Sequence, residues 1–128
     1  MIYEIISPVA VNVNKKKIAL NLNVWRTIHY RIKSKAKHEY NKIMLSQLKN
    51  LKIKGKISMT FRYIKGSKRK SDKSNVLSIV EKFFCDSLTK FGCIADDNDS
   101  IIIEQHYLET KYKKNHPHVI IEIKEIEN

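Results

Sequence analysis

Three carboxylates fall within four residues in the stretch Asp96-Asp97-Asn98-Asp99. Such crowding costs mutual repulsion unless a cation neutralises it. Hard oxygen ligands of this kind suit magnesium, which takes one or two carboxylates and keeps several waters. The same residues also favour turns by bonding their own backbone, so the stretch reads as a polar turn as well. A further carboxylate, Asp72, stands in an otherwise cationic run, Lys68-Arg69-Lys70-Ser71-Asp72-Lys73-Ser74. Lys68, Arg69, Lys70 and Lys73 suit phosphate contacts, against the plainer reading of a solvated charge run. Trp25 and Tyr30 can stack on unpaired bases, although packing in the core is the commoner use of such rings. His29, His38, His106, His116 and His118 share no zinc-ligand spacing with a cysteine, and His116-Pro117-His118 reads as a loop.

Composition narrows the partners. The 128 residues carry 25 Lys and Arg against 13 Asp and Glu, a formal net charge of +12. That excess favours a polyanion, either nucleic acid or an acidic membrane surface. The length leaves room for one core, so one domain is expected over 1–128. At 42% hydrophobic and 30% charged, the chain is not disordered by composition. No apolar run approaches the ~18 residues of a membrane span, and residues 1–20 lack the basic, apolar and small segments of a secretory leader. Cys85 and Cys93 form no disulfide framework. They read as a helix-face residue and a turn residue, free thiols of a reducing compartment.

The elements that must position these groups follow from periodicity. Residues 2–6 fit a first strand, ended by Pro8. The Asn-rich stretch 10–24 reads as a strand or an extended arm. From Trp25 to about Leu51 no Gly or Pro intervenes, and Ala36, Tyr40, Ile43, Met44, Gln47, Leu48 and Leu51 recur at helical spacing. Arg31, Lys33, Lys35, Lys37, His38 and Lys42 occupy the opposite, basic face. Alternation over 52–64 predicts a strand with Ile53, Ile57, Met59, Phe61 and Tyr63 on its buried face. A basic loop follows, then a helix over 75–91 with Gly92 as its terminator. Phe83 and Phe84 belong to the core or to a subunit seam. Segments 101–108 and 118–126 read as two strands joined as a hairpin through a basic loop around 111–117. The fold class expected is α/β (α+β): a small mixed sheet with two main helices packed on it, in the order β-α-β-α-β-β.

Several short motifs occur together in order. They are Asp72-Lys73-Ser74-Asn75 after the basic run, Lys82-Phe83-Phe84-Cys85-Asp86-Ser87-Leu88 in the second helix, Gly92, and Asp96-Asp97. Near the start, Asn23-Val24-Trp25-Arg26-Thr27-Ile28-His29-Tyr30 precedes Lys33-Ser34-Lys35-Ala36-Lys37. Together this pattern resembles the RusA family of Holliday junction resolvases, in particular its phage-type members, over roughly residues 20–105. The resemblance implies a RusA-like fold and a magnesium-dependent endonuclease acting on four-way DNA junctions, with manganese as a substitute metal. It implies a homodimer in the cytoplasm of a bacterial or phage-infected cell. Carried over residue by residue, it makes Asp72 and Asp97 metal-binding and catalytic, places Asp96 and Ser74 beside the metal, and makes Lys82 the catalytic lysine. DNA contacts fall to Lys68, Arg69, Lys70, Lys73, Arg26, Arg31, Lys33, Lys35 and Lys37.

One departure matters. The family's D-x-D-N has its second aspartate replaced by Ser74, which removes one anionic ligand. The alternative reading is therefore a weakened or inactive junction-binding protein on the same fold, with Asp99 or Glu104 as candidates for the missing charge. Geometry bears on the oligomer too. A helix over 75–91 is about 24 Å long, with Asp72 before it and Asp97 six residues beyond it. Uniting them in one chain needs a loop that doubles back. A two-fold dimer with antiparallel helices would bring Asp72 of one subunit near Asp97 of the other.

Overall fold

The computed structural model describes residues 1–126. Strands β1 (Ile2–Ser7), β2 (Ala10–Val13) and β3 (Lys16–Ala19) come first. They are followed by α1 (Leu22–Trp25), α2 (Tyr30–Leu48), β4 (Ile57–Lys65), α3 (Lys73–Lys90), β5 (Ile102–Tyr107), β6 (Lys111–Tyr112) and β7 (His118–Glu125). This is a mixed α+β fold. The main sheet has the order β1-β7-β4-β5, with β6 continuing the β5 edge along β4. Only β5 and β6 run parallel to β4; β7 pairs antiparallel with both β4 and β1.

Alternation decides which sheet face is covered. Ile57, Met59 and Phe61 of β4, Val119, Ile121 and Ile123 of β7, and Ile5 and Ser7 of β1 point into one buried layer. Helix α3 packs there through Phe84, edge-on to Phe61, and α2 through Tyr40, edge-on to Phe83. The Tyr40 hydroxyl lies 2.7 Å from the Ser7 hydroxyl, so both buried polar groups are satisfied. Among the described residues, no helix covers the opposite face, where Glu4, Ser58, Thr60, Glu122 and Lys124 alternate outward.

Three expectations need correction. Residues 101–108 and 118–126 are not a hairpin. Strand β5 lies at the edge of β4, whereas β7 inserts between β4 and β1. The cause is side-chain demand: β7 buries three aliphatic residues in alternation, but Ile103, Glu104, Gln105 and His106 are exposed and tolerate only an edge. The connection crosses the end of β4, where Asn115 N–H bonds Gly66 O at 3.0 Å. A Cβ on Gly66 would sit 2.7 Å from Pro117 Cδ, so this crossing needs glycine.

The helix over 25–51 is also broken. Asn21 caps α1 by accepting Val24 N–H at 2.9 Å, and His29 Nδ1 caps α2 by accepting Arg31 N–H at 3.2 Å. Within α2, Ala36, Tyr40, Met44 and Leu48 are buried, but Ile43 and Gln47 are exposed. Gln47 instead grips the β1 edge, bonding both Ile6 N–H and Ile6 C=O. Third, the strand over 52–64 starts only at Ile57, because Gly55 has φ +84° and residues 51–56 form an irregular lead-in. The open choice over 10–24 resolves as the β2–β3 hairpin. Asn14 and Lys15, with φ of 52° and 66°, make its two-residue turn.

Candidate nucleic-acid and metal site

Asp72 is the N-cap of α3. Its Oδ1 accepts Ser74 N–H at 3.0 Å and the Ser74 hydroxyl at 2.8 Å. Those bonds stabilise the ionised form, the hydroxyl first, and hold the Asp72 carboxyl below its usual range. Asn75 turns the other way and accepts Leu22 N–H at 3.1 Å, tying α1 to the start of α3. Together these residues wall an open cleft of about 440 Å³, lined also by Asn23, Arg26 and Lys70. Cations and one carboxylate thus converge on a polar recess at a helix N-terminus, where backbone N–H groups add positive potential.

The acidic turn is organised by its own bonds. Asp96 accepts Asp97 N–H at 2.8 Å and the Asn98 amide at 3.2 Å, which lowers the Asp96 carboxyl. Desolvation, the shared contact with Asp96 and the nearby charges of Asp96 and Asp86 raise Asp97. The two neighbouring carboxyls therefore titrate apart, as close like charges must. Two backbone bonds tie this region to the start of β4: Ile53 N–H to Cys93 O and Ile57 N–H to Ile101 O, both 2.8 Å.

Asp72 and Asp97 stay apart within the chain. Because β4 and β5 are parallel, α3 runs back along the whole sheet between them. Asp72 follows the C-terminal end of β4, and Asp97 lies beside its beginning. Helix α3, 18 residues and about 27 Å long, runs between them. Asp97 comes back close enough to Cys85 and Asp86 for their charges to interact, so most of the helix lies between the two aspartates. Neither alternative charge closes this gap. Glu104 bonds His106 at 3.2 Å on the uncovered side of the sheet, and Asp99 stays in the acidic turn. Among the described residues, no three His, Cys, Asp or Glu side chains are grouped to hold a metal ion. The donor types still fit magnesium. Among the described residues Asp72 Oδ2 is unengaged at one end, and the 96–97 pair offers carboxylate oxygens at the other.

The basic residues divide into several groups. Arg26 and Lys70 line the cleft, and Arg69 is exposed beside it. Lys68 leans over Tyr112 at 5.5 Å. Lys73 is committed internally: its ammonium bonds Leu108 O at 3.1 Å and anchors the end of β5. That bond ties Lys73 to the protein's own backbone as well as leaving it beside the cleft. On α2, Arg31 sits over Tyr30 and Lys35 lines a separate recess with His38 and Glu39. Lys33 and Lys37 lie over Trp25, at 4.9 Å and 6.0 Å from the ring centroid. Lys82 reaches the same ring from α3 at 5.8 Å. It stands eight residues beyond Ser74, about 12 Å along the helix and not in the Asp72 cleft.

Trp25 packs edge-on against Phe83 at 5.2 Å, as a core role predicts. Tyr30 does not. It is 65% exposed and rests on His29, which corrects its assignment to the core. Cys85 and Cys93 are both free and buried. Sequence reasoning quoted Asp86 within its helix motif but gave it no role; it pairs with Lys37 at 3.3 Å and adds charge near Asp97. Its spacing of four from Lys82 on one helix face was the available signal.

Compared with known proteins, the chain matches no protein-family model and no curated sequence. Among the described residues, no helix is long and apolar enough to cross a membrane.

Proposed function

We propose that this protein is a magnesium-dependent endodeoxyribonuclease that cuts four-way DNA junctions as a homodimer, on a RusA-like fold. The reading rests on the RusA-like order of motifs. The observation that carries it is the placement of Asp72 and Asp97 at opposite ends of α3. Two carboxylates kept apart by most of α3 in one chain pair across a two-fold axis that sets two copies of α3 antiparallel. The same axis provides two equivalent sites, as paired incisions require. Asp72 of one subunit and Asp97 of the other would hold magnesium, with Asp96 and the Ser74 hydroxyl beside it. When bound, the ion lowers the pKa of water and offsets charge on the phosphate. Arg26, Arg69 and Lys70 draw phosphates to the cleft, and Lys82 supplies positive charge along α3 toward the cut.

A second reading is a junction-binding protein that does not cut. One observation favours it: the Ser74 hydroxyl, in place of the family's second aspartate, donates to Asp72 rather than standing free as a ligand. Cleavage of a labelled four-way junction in magnesium, beside a linear duplex of the same sequence, decides between them. Junction cutting that Asp97→Asn abolishes, with binding intact or tighter, supports the nuclease. Tight junction binding with no cutting supports the second reading. Asp97→Asn cutting at the parental rate removes the acidic turn from the site, and equal affinity for the linear duplex overturns junction selectivity.

A further inference from the structure

Three ammonium groups from two helices converge on one aromatic ring. Lys33 and Lys37 of α2 and Lys82 of α3 lie 4.9, 6.0 and 5.8 Å from the centroid of Trp25. The ring is fixed from behind by Phe83, itself fully buried. Asp86 pairs with Lys37 alone, leaving Lys33 and Lys82 without a carboxylate partner among the described residues. With Lys37 paired, Lys33 and Lys82 remain as uncompensated like charges, and the negative face of one half-buried indole offsets their repulsion only in part. A bound anion would offset the remainder.

We infer that Trp25 gathers Lys33, Lys37 and Lys82 into a single backbone-binding subsite for one DNA strand. The inference deepens the DNA-junction reading above and rests on it for the identity of the ligand. The geometry favours phosphate over a stacked base, because the ammoniums already occupy the space around the ring. With each ammonium at most 6.0 Å from one centroid, any two lie within about 12 Å, the reach of a few successive phosphates. The subsite shares the α1 side of α3 with the Asp72 cleft and lies about 12 Å further along the helix. At 3.4 Å of axis per nucleotide, that offset is three to four nucleotides from the cleft. Trp25 is thus a positioning residue, and the lysines make the contacts.

Binding to a four-way junction in EDTA, measured across a salt series, tests this without any cleavage. Lys33→Gln is expected to lower the slope of log affinity against log salt by about 0.9. Trp25→Leu is expected to lower it by at least as much although no charge is removed, and Trp25→Phe to restore most of the parental slope. Lys49→Gln, a charge removed at the far end of α2, is expected to leave the slope unchanged. Trp25 is the sole tryptophan, so its acrylamide quenching is expected to fall about twofold on DNA binding. An unchanged slope for Lys33→Gln overturns the inference, whether or not Trp25→Leu folds. So does quenching that binding leaves unaltered. A junction that is bound but never cut defeats the nuclease reading alone and leaves this slope test standing.

Discussion

Mixing Asp72→Asn subunits with Asp97→Asn subunits exposes whether each site is built from two chains. Most of α3, an 18-residue helix about 27 Å long, stands between these carboxylates within a chain. Two ligands of one magnesium ion sit within about 4.2 Å of each other, since each bonds at about 2.1 Å. Side-chain rotation cannot close a gap of that size, so neither chain holds an intact pair by itself. After co-refolding at equal amounts, half of the dimers contain one subunit of each kind. Every mixed dimer has one site lacking both aspartates and one retaining both. The mixture is therefore expected to recover about a quarter of the parental nicking rate, with each variant inactive by itself. The assay follows single-strand nicking of an end-labelled four-way junction in magnesium. A mixture as inactive as its components would refute the shared site. Either variant nicking at the parental rate would refute the role of that aspartate.

Removing two charges beside the cleft, with Arg69→Ala and Lys70→Ala, is expected to reduce the salt slope of junction binding by about 1.8; an unchanged slope would exclude that loop from the interface. Ser74→Asp adds a carboxylate where the hydroxyl now bonds Asp72. It is expected to lower the magnesium concentration needed for cutting and to weaken metal-free DNA binding, as read by a metal titration and by binding in EDTA. Burial pushes the Cys85 thiol up to about 12 and raises Cys93. Between about pH 8.5, where an unfolded thiol ionises, and the folded value, only the unfolded chain loses the Cys85 proton. Stability should then fall with rising pH by up to about 1.4 kcal/mol per unit. Urea midpoints should decline over that window and Cys85→Ala should flatten the decline, while native protein at pH 8 should react slowly with a thiol reagent. Fast reaction of both thiols would contradict the burial.

The amino-acid sequence determined the main elements wherever one face had to be apolar. Ile57, Met59 and Phe61 alternate because one side of β4 is buried, and Ala36, Tyr40, Met44 and Leu48 recur because one side of α2 is. Asp72 preceding the second helix was legible for the same local reason, since a carboxylate there caps free N–H groups. Pairing partners were not legible. Whether β7 joins β5 or slips between β4 and β1 depends on which neighbours bury Val119, Ile121 and Ile123, and those neighbours lie up to 120 residues away in the chain. That choice also fixed the site. Running β5 parallel to β4 sends α3 back along the sheet and keeps Asp72 and Asp97 toward its two ends. The helix length between them already indicated that separation, whereas the direction of that helix across the sheet was not legible. Tertiary packing likewise turned Lys73 inward onto Leu108 and drew Lys33, Lys37 and Lys82 around Trp25. In each case periodicity chose the face of an element, and only long-range contacts chose what that face meets.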